Sequence, residues 1–214
     1  MYKEHFLNYF TNRPWRKVEK EYENVPIVDI PKITTLDINY RDWKYFAIEK
    51  YDLADHDWER VKSGYNDRYK YLTTLNNQAG YDENNTYVLN YGTQPEANAE
   101  LLEIFGIDNI KKLNLIPESV LMRLIVKLPS HGFAWHADNL RTYKNLYPQY
   151  ADTAKRIWFP VSPWGDGHFF QISKTVISNW EPGDCYEIPI GVPHCGVNFG
   201  HAPQFTVSLT GAIR

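Results

Sequence analysis

Three side chains in the C-terminal half could share one metal ion. His136 and Asp138 stand two residues apart in HGFAWHADN, and His194 lies well downstream in IPIGVPHCGVN. In an extended segment alternate side chains leave the same face, so His136 and Asp138 project together. Two imidazoles and one carboxylate are the ligand set of non-haem Fe(II) sites that keep three coordination positions open. Open positions let O2 and a chelating co-substrate bind side by side. An HxD pair alone also fits an ordinary surface ion pair, so the third ligand carries the weight.

Strands must bring His194 back to the pair. Val120 to Leu128 (VLMRLIVKL), Arg156 to Val161, Gly167 to Ile172, Thr175 to Trp180, Asp184 to Ile188 and Phe205 to Leu209 all read as strands. Gly/Pro breaks separate most of them, and Pro129-Ser130-His131-Gly132 reads as a turn. Several short strands at this spacing predict a mainly β sandwich, jelly roll or barrel. Upstream, residues 1–20 suggest a short helix or docking arm, Val25 to Ile33 a strand edged by prolines, and Tyr81 to Tyr91 a turn and strand. Gln94 to Phe105 predicts a helix, with Pro95 in its first turn and Gly106 ending it. Residues 36–60 have no clean period. The expected organisation is one compact domain, with 1–118 an α/β extension of helices and edge strands and 119–214 the core.

A chain of 214 residues with 43% hydrophobic and 15% aromatic content can bury a full core, which excludes disordered and collagen-like classes. Sixteen Tyr and seven Trp favour pleated, half-buried surfaces. A net charge of −3 creates no field that would draw in nucleic acid, although it does not exclude one as substrate. The two cysteines, Cys185 and Cys195, lack CxxC spacing and read as buried thiols rather than a disulfide framework or zinc site. No run approaches the roughly 18 apolar residues of a membrane span. The start shows no secretory leader, so a cytoplasmic enzyme is the expectation.

Gly183-x5-Pro189-x-Gly191-x2-His194-x3-Asn198 resembles the second cupin motif at every defined position. Leu121 to Asn139, LMRLIVKLPSHGFAWHADN, is similar to the entry into HxD in prolyl- and aspartyl/asparaginyl-hydroxylase-like proteins. The first position departs from an ordinary cupin, having His-x-Asp and no Glu in residues 139–143 (NLRTY). That shifts the resemblance toward 2-oxoglutarate/Fe(II)-dependent dioxygenases of the double-stranded β-helix superfamily. It implies Fe(II) on His136, Asp138 and His194, 2-oxoglutarate and O2 as co-substrates, and hydroxylation of an aliphatic carbon in an amino-acid, peptidyl or small-metabolite substrate.

The resemblance also implies a cation for the far carboxylate of 2-oxoglutarate. The usual arginine shortly past the distal histidine is replaced here by Gln204. Branches that use an earlier strand point to Lys155 and Arg156, with Arg156 first and Arg123 and Arg214 behind it. Asn198 either orients the co-substrate or closes a turn, and Ser208, with Thr206, offers a hydroxyl. Asn139 and Arg141 read as substrate-facing, Trp135, Trp158 and Phe170 as filling, and His131 and His168 as solvent-facing. Two rivals remain: a cupin-type metalloenzyme without 2-oxoglutarate, which Gln204 favours, and a non-catalytic jelly-roll ligand-binding module.

Overall fold

The computed structural model describes residues 27–51, 88–92, 94–129 and 131–214. The expected N-terminal arm over 1–20 and the turn after Tyr81 lie outside them. Among the described residues, ten strands form two antiparallel sheets. They are β1 (Lys32–Thr35), β2 (Val88–Tyr91), β3 (Leu121–Lys127), β4 (His131–His136), β5 (Ala154–Pro160), β6 (His168–Ile172), β7 (Thr175–Ile177), β8 (Asp184–Glu187), β9 (His194–Asn198) and β10 (Gln204–Ala212). The six-stranded sheet runs β1-β8-β5-β10-β3-β2 and the four-stranded sheet β4-β9-β6-β7. From β3 onward the chain shuttles between the sheets, and strands distant in sequence interleave within each. That order is a double-stranded β-helix, or jelly roll.

The helices are α1 (Tyr40–Tyr51), α2 (Pro95–Phe105), α3 (Ile107–Lys112) and α4 (Arg141–Leu146). α2 forms where its sequence predicts, and the Gly106 N–H caps it on the Leu102 carbonyl at 3.0 Å. Its buried Asn98 clamps the helix to β3, donating to the Val120 carbonyl at 2.9 Å and accepting the Met122 N–H at 2.8 Å. The strand expected over Val25 to Ile33 begins only at Lys32, because Pro31 cannot donate to a ladder. The unperiodic stretch 36–60 holds α1, started by Asn39, whose side-chain Oδ1 accepts the Arg41 N–H at 3.1 Å. The expected turn at 129–132 is shorter, since His131 already pairs with Asn198 in β4–β9.

The six-stranded sheet has two very different faces. One face carries Met122, Leu124, Val126, Ile157, Phe159, Cys185, Phe205, Val207 and Leu209, packed with Trp43 and Ala47 of α1, Leu101 and Phe105 of α2 and Ile110 of α3. The other face turns toward the four-stranded sheet. Along β10 it presents Gln204, Thr206, Ser208 and Thr210, all buried, and along β3 Arg123 and Lys127. Ladder register places these in rows: Thr210 beside Leu121 and Arg156, Ser208 beside Arg123 and Trp158, Thr206 beside Ile125 and Pro160, Gln204 beside Lys127. A second apolar cluster of Trp158, Phe170, Ile172, Ile177, Trp180 and Ile188 fills part of the space between the sheets. Trp158 and Phe170 stack at 4.3 Å there, as filling residues should. The inter-sheet space is therefore part apolar and part polar, and the polar part meets the candidate metal ligands.

Candidate metal centre

β4 and β9 deliver the two histidines. His136 and His194 are direct cross-strand partners, with ring centroids 4.4 Å apart. A register shift between Phe133 and His136 interrupts the ladder just before this pair, the kind of irregularity that re-aims a side chain at a sheet edge. Asp138 lies beyond the end of β4, where the Gly191 N–H donates to its backbone carbonyl at 3.1 Å. The GVPH turn thus holds both His194 and the carboxylate-bearing residue.

The ligand atoms of His136, Asp138 and His194 all lie within 4.8 Å of one another. Asp138 Oδ2 is 3.5 Å from His194 Nε2 and 4.0 Å from His136 Nε2. His194 is buried, and its Nδ1–H donates to the Val192 carbonyl at 3.0 Å. That bond fixes the tautomer and leaves the Nε2 lone pair facing the cluster, as for a metal-bound histidine. Burial pushes the Asp138 carboxyl upward, but His194, Arg156 and His136 outweigh it and hold it well below the usual carboxylate range. The donor set, one ionised carboxylate and imidazole nitrogens, suits a first-row divalent ion.

Arg156 completes the cluster. Its Nη1 contacts Asp138 Oδ2 and lies 3.2 Å from His194 Nε2, while its Nε donates to Ser208 Oγ at 3.1 Å. This guanidinium therefore sits against two of the three ligands. Its sequence neighbour Lys155 instead pairs with Glu187 at 2.8 Å, and Arg214 donates from Nε to the Leu115 carbonyl at 3.1 Å.

A small open cleft adjoins Asp138 and Arg156. It is lined by Arg123, Ser208 and Thr210 on the sheet and by Asn139, Arg141 and Tyr143 around α4. Asn139 and Arg141 are exposed there, with Asn139 Oδ1 accepting the Arg141 N–H at 3.0 Å.

Asn198 stands at the opposite end of β9 from His194. Its Nδ2 donates to the Lys127 and Ala202 carbonyls, each at 2.8 Å, and its Oδ1 accepts the Gly200 N–H at 2.9 Å. Of the two roles its motif position allows, this geometry is the turn-closing one. His168 is buried rather than solvent-facing. Its Nδ1 accepts the Gly165 N–H at 3.2 Å, its Nε2 faces the Ala202 carbonyl at 3.3 Å, and burial lowers its pKa. Cys185 and Cys195 are free and buried, and burial pushes both thiols up to about 12.

Lys127 escaped the sequence reading. It is 2% exposed, its Nζ donates to Gln204 Oε1 at 3.0 Å, and the Phe133 ring centroid lies 5.9 Å away. Burial brings its ammonium down to about 7. The available signal was phase: in LMRLIVK, Arg123 and Lys127 alternate with apolar residues as Ser208 and Gln204 do in β10.

No family model matches the chain, and no curated protein matches it. Solved structures do show partial likeness. A double-stranded β-helix protein from Klebsiella pneumoniae is 16% identical, covers 44% of this chain and 67% of its own, and has a TM-score of 0.31. A DMSP lyase from Ruegeria pomeroyi is 15% identical over 44% of this chain and 38% of its own, at 0.32. A predicted oxalate decarboxylase from Thermotoga maritima is 10% identical over 51% and 76%, also at 0.32. The fold assignment rests on the strand order itself. Among the described residues, no helix is long and apolar enough to cross a membrane.

Proposed function

We propose that this chain is an Fe(II)/2-oxoglutarate-dependent oxygenase that hydroxylates an aliphatic carbon of an amino-acid, peptidyl or small-metabolite substrate. The observation that carries the reading is the convergence of His136, Asp138 and His194 within 4.8 Å beside an arginine-lined cleft. Bound iron and 2-oxoglutarate would supply the oxidation, consuming O2 and yielding succinate, CO2 and the hydroxylated product. His136, Asp138 and His194 would hold the metal, the Nδ1–H bond to Val192 keeping His194 in its ligating tautomer. Arg156, braced by Ser208, holds the Asp138 carboxylate now and would meet the chelating end of the co-substrate. Asn139 and Arg141 would face the substrate at the cleft mouth.

An anaerobic Fe(II) titration with and without 2-oxoglutarate tests this, read by the visible charge-transfer band of the chelate. Wild type should bind about one iron and develop the band only with 2-oxoglutarate. His136→Ala, Asp138→Ala and His194→Ala should each lose at least tenfold in iron affinity. Unchanged stoichiometry in all three would remove the site. Iron binding with no band would instead favour a cupin-type metalloenzyme that uses no 2-oxoglutarate, a reading to which Gln204 lends support.

A further inference from the structure

The cleft beside Asp138 carries more positive charge than a metal and its co-substrate would use. Three guanidiniums line it: Arg123 from β3, Arg141 from the start of α4 and Arg156 from β5. Asp138 is the one carboxylate among the described residues that line it. The whole chain has the opposite balance, at −3. Loading the site would not correct the excess. A divalent ion and the doubly charged 2-oxoglutarate cancel one another, which leaves three guanidiniums against one carboxylate as before. A concave site with such an excess focuses its field on incoming anions.

The three arginines are not equally committed. Arg156 is held by Asp138, His194 and Ser208. Arg141 is exposed, and among the described residues its guanidinium has no ion pair or hydrogen bond. Only its backbone is tied, through the N–H that Asn139 Oδ1 accepts at 3.0 Å. Tyr143, 1% exposed, seats the same turn of α4. Arg141 is thus fixed at its backbone, three residues past Asp138, with an unpaired planar fork at the cleft. That fork can hold a carboxylate through two parallel N–H bonds.

We infer that the substrate carries a carboxylate, which Arg141 receives at the cleft mouth while Arg123 on the sheet wall adds to the attracting field. This assignment rests on the oxygenase reading above and narrows its substrates to acids. Arg141 is then a specificity-determining residue, separate from the groups at the metal.

The test uses Mn(II)-loaded protein saturated with 2-oxoglutarate, without O2, and measures probe binding by calorimetry. The probes are N-acetylalanine, with a free α-carboxylate, the α-amide of N-acetylaspartate, with a side-chain carboxylate, and N-acetylalanine amide, with neither. One of the acids should bind at least about tenfold tighter than the neutral amide, and which one separates a terminal from a side-chain carboxylate. Arg141→Gln should remove about tenfold from that acid, the value of one charge-assisted bond, and change 2-oxoglutarate affinity less than about twofold. Lys144→Gln, an exposed cation of α4 that does not line the cleft, should change neither. An equal loss in Lys144→Gln would reduce the effect to general surface charge and overturn the assignment. A tenfold loss of 2-oxoglutarate in Arg141→Gln would give the guanidinium to the co-substrate, and would overturn it as well. Acids that bind no tighter than the amide, or not at all, to protein holding 2-oxoglutarate would overturn the assignment and leave the oxygenase reading standing. Failure of 2-oxoglutarate to bind metal-loaded wild type would overturn both.

Discussion

At the residue scale, the cluster of His136, Asp138 and His194 was legible because residue types of this kind are those a metal site would use and the distal motif supplied the second histidine. The position of Arg156 was also readable, but its contact with Asp138 and His194 was not, since that depends on how β5 faces β4 and β9. The contact has a consequence. The guanidinium and a bound divalent ion would compete for the same lone pairs on Asp138 Oδ2 and His194 Nε2. Arg156→Met should therefore destabilise the metal-free protein by about 1–3 kcal/mol, through a carboxylate left without its cation. Adding Zn(II) should then stabilise the variant more than it stabilises wild type, because no guanidinium has to be displaced. Urea denaturation of both proteins with and without Zn(II) measures this, and a smaller metal increment in the variant would mean that the arginine assists metal binding.

At the element scale, the strands of the jelly roll were readable from alternation and Gly/Pro breaks, but the side on which each face falls was not. β10, QFTVSLTGA, alternates polar and apolar like a strand with one wet face, yet all nine residues are buried. Helices α1 to α3 cover the apolar face, and the polar one turns inward. Only tertiary packing decides that choice, so Lys127 passed unnoticed in an apolar run. β9 was missed as a strand because His194 to Asn198 carries a glycine at its centre. That glycine is required by what lies opposite. A Cβ on Gly196 would meet Phe170 Cδ2 at 3.0 Å and Lys127 Cε at 3.3 Å. Gly196→Ala should cost about 1–3 kcal/mol by overpacking. In a Lys127→Ala background the cost should fall by at least half, since one of the two obstructing side chains is gone. Thermal or urea unfolding of the four proteins of this cycle gives the coupling, and strict additivity would show that Phe170 alone sets the limit.

At the scale of the whole molecule, the interior polarity imposes a pH dependence on stability that composition could not disclose. A net charge of −3 with a majority of polar residues gives no hint that an ammonium is sealed between two sheets. Burial lowers Lys127 from its ordinary value of 10.5 to about 7. Between those values the unfolded chain binds a proton that the folded chain has released. Unfolding there takes up a proton, so stability rises with pH across the window, by up to about 1.4 kcal/mol per unit. Below about pH 7 both states carry the proton and this contribution is flat, with the charged form held inside at its full cost. Lys127→Met removes the group from both states. The variant should therefore be more stable than wild type at pH 7, and the difference should narrow steadily toward pH 10. Urea midpoints of the two proteins at pH 6, 7, 8, 9 and 10, metal-free, test this directly. A gap that stays constant over that range would mean that the ammonium keeps its charge in the fold, compensated by a partner that the polar face supplies.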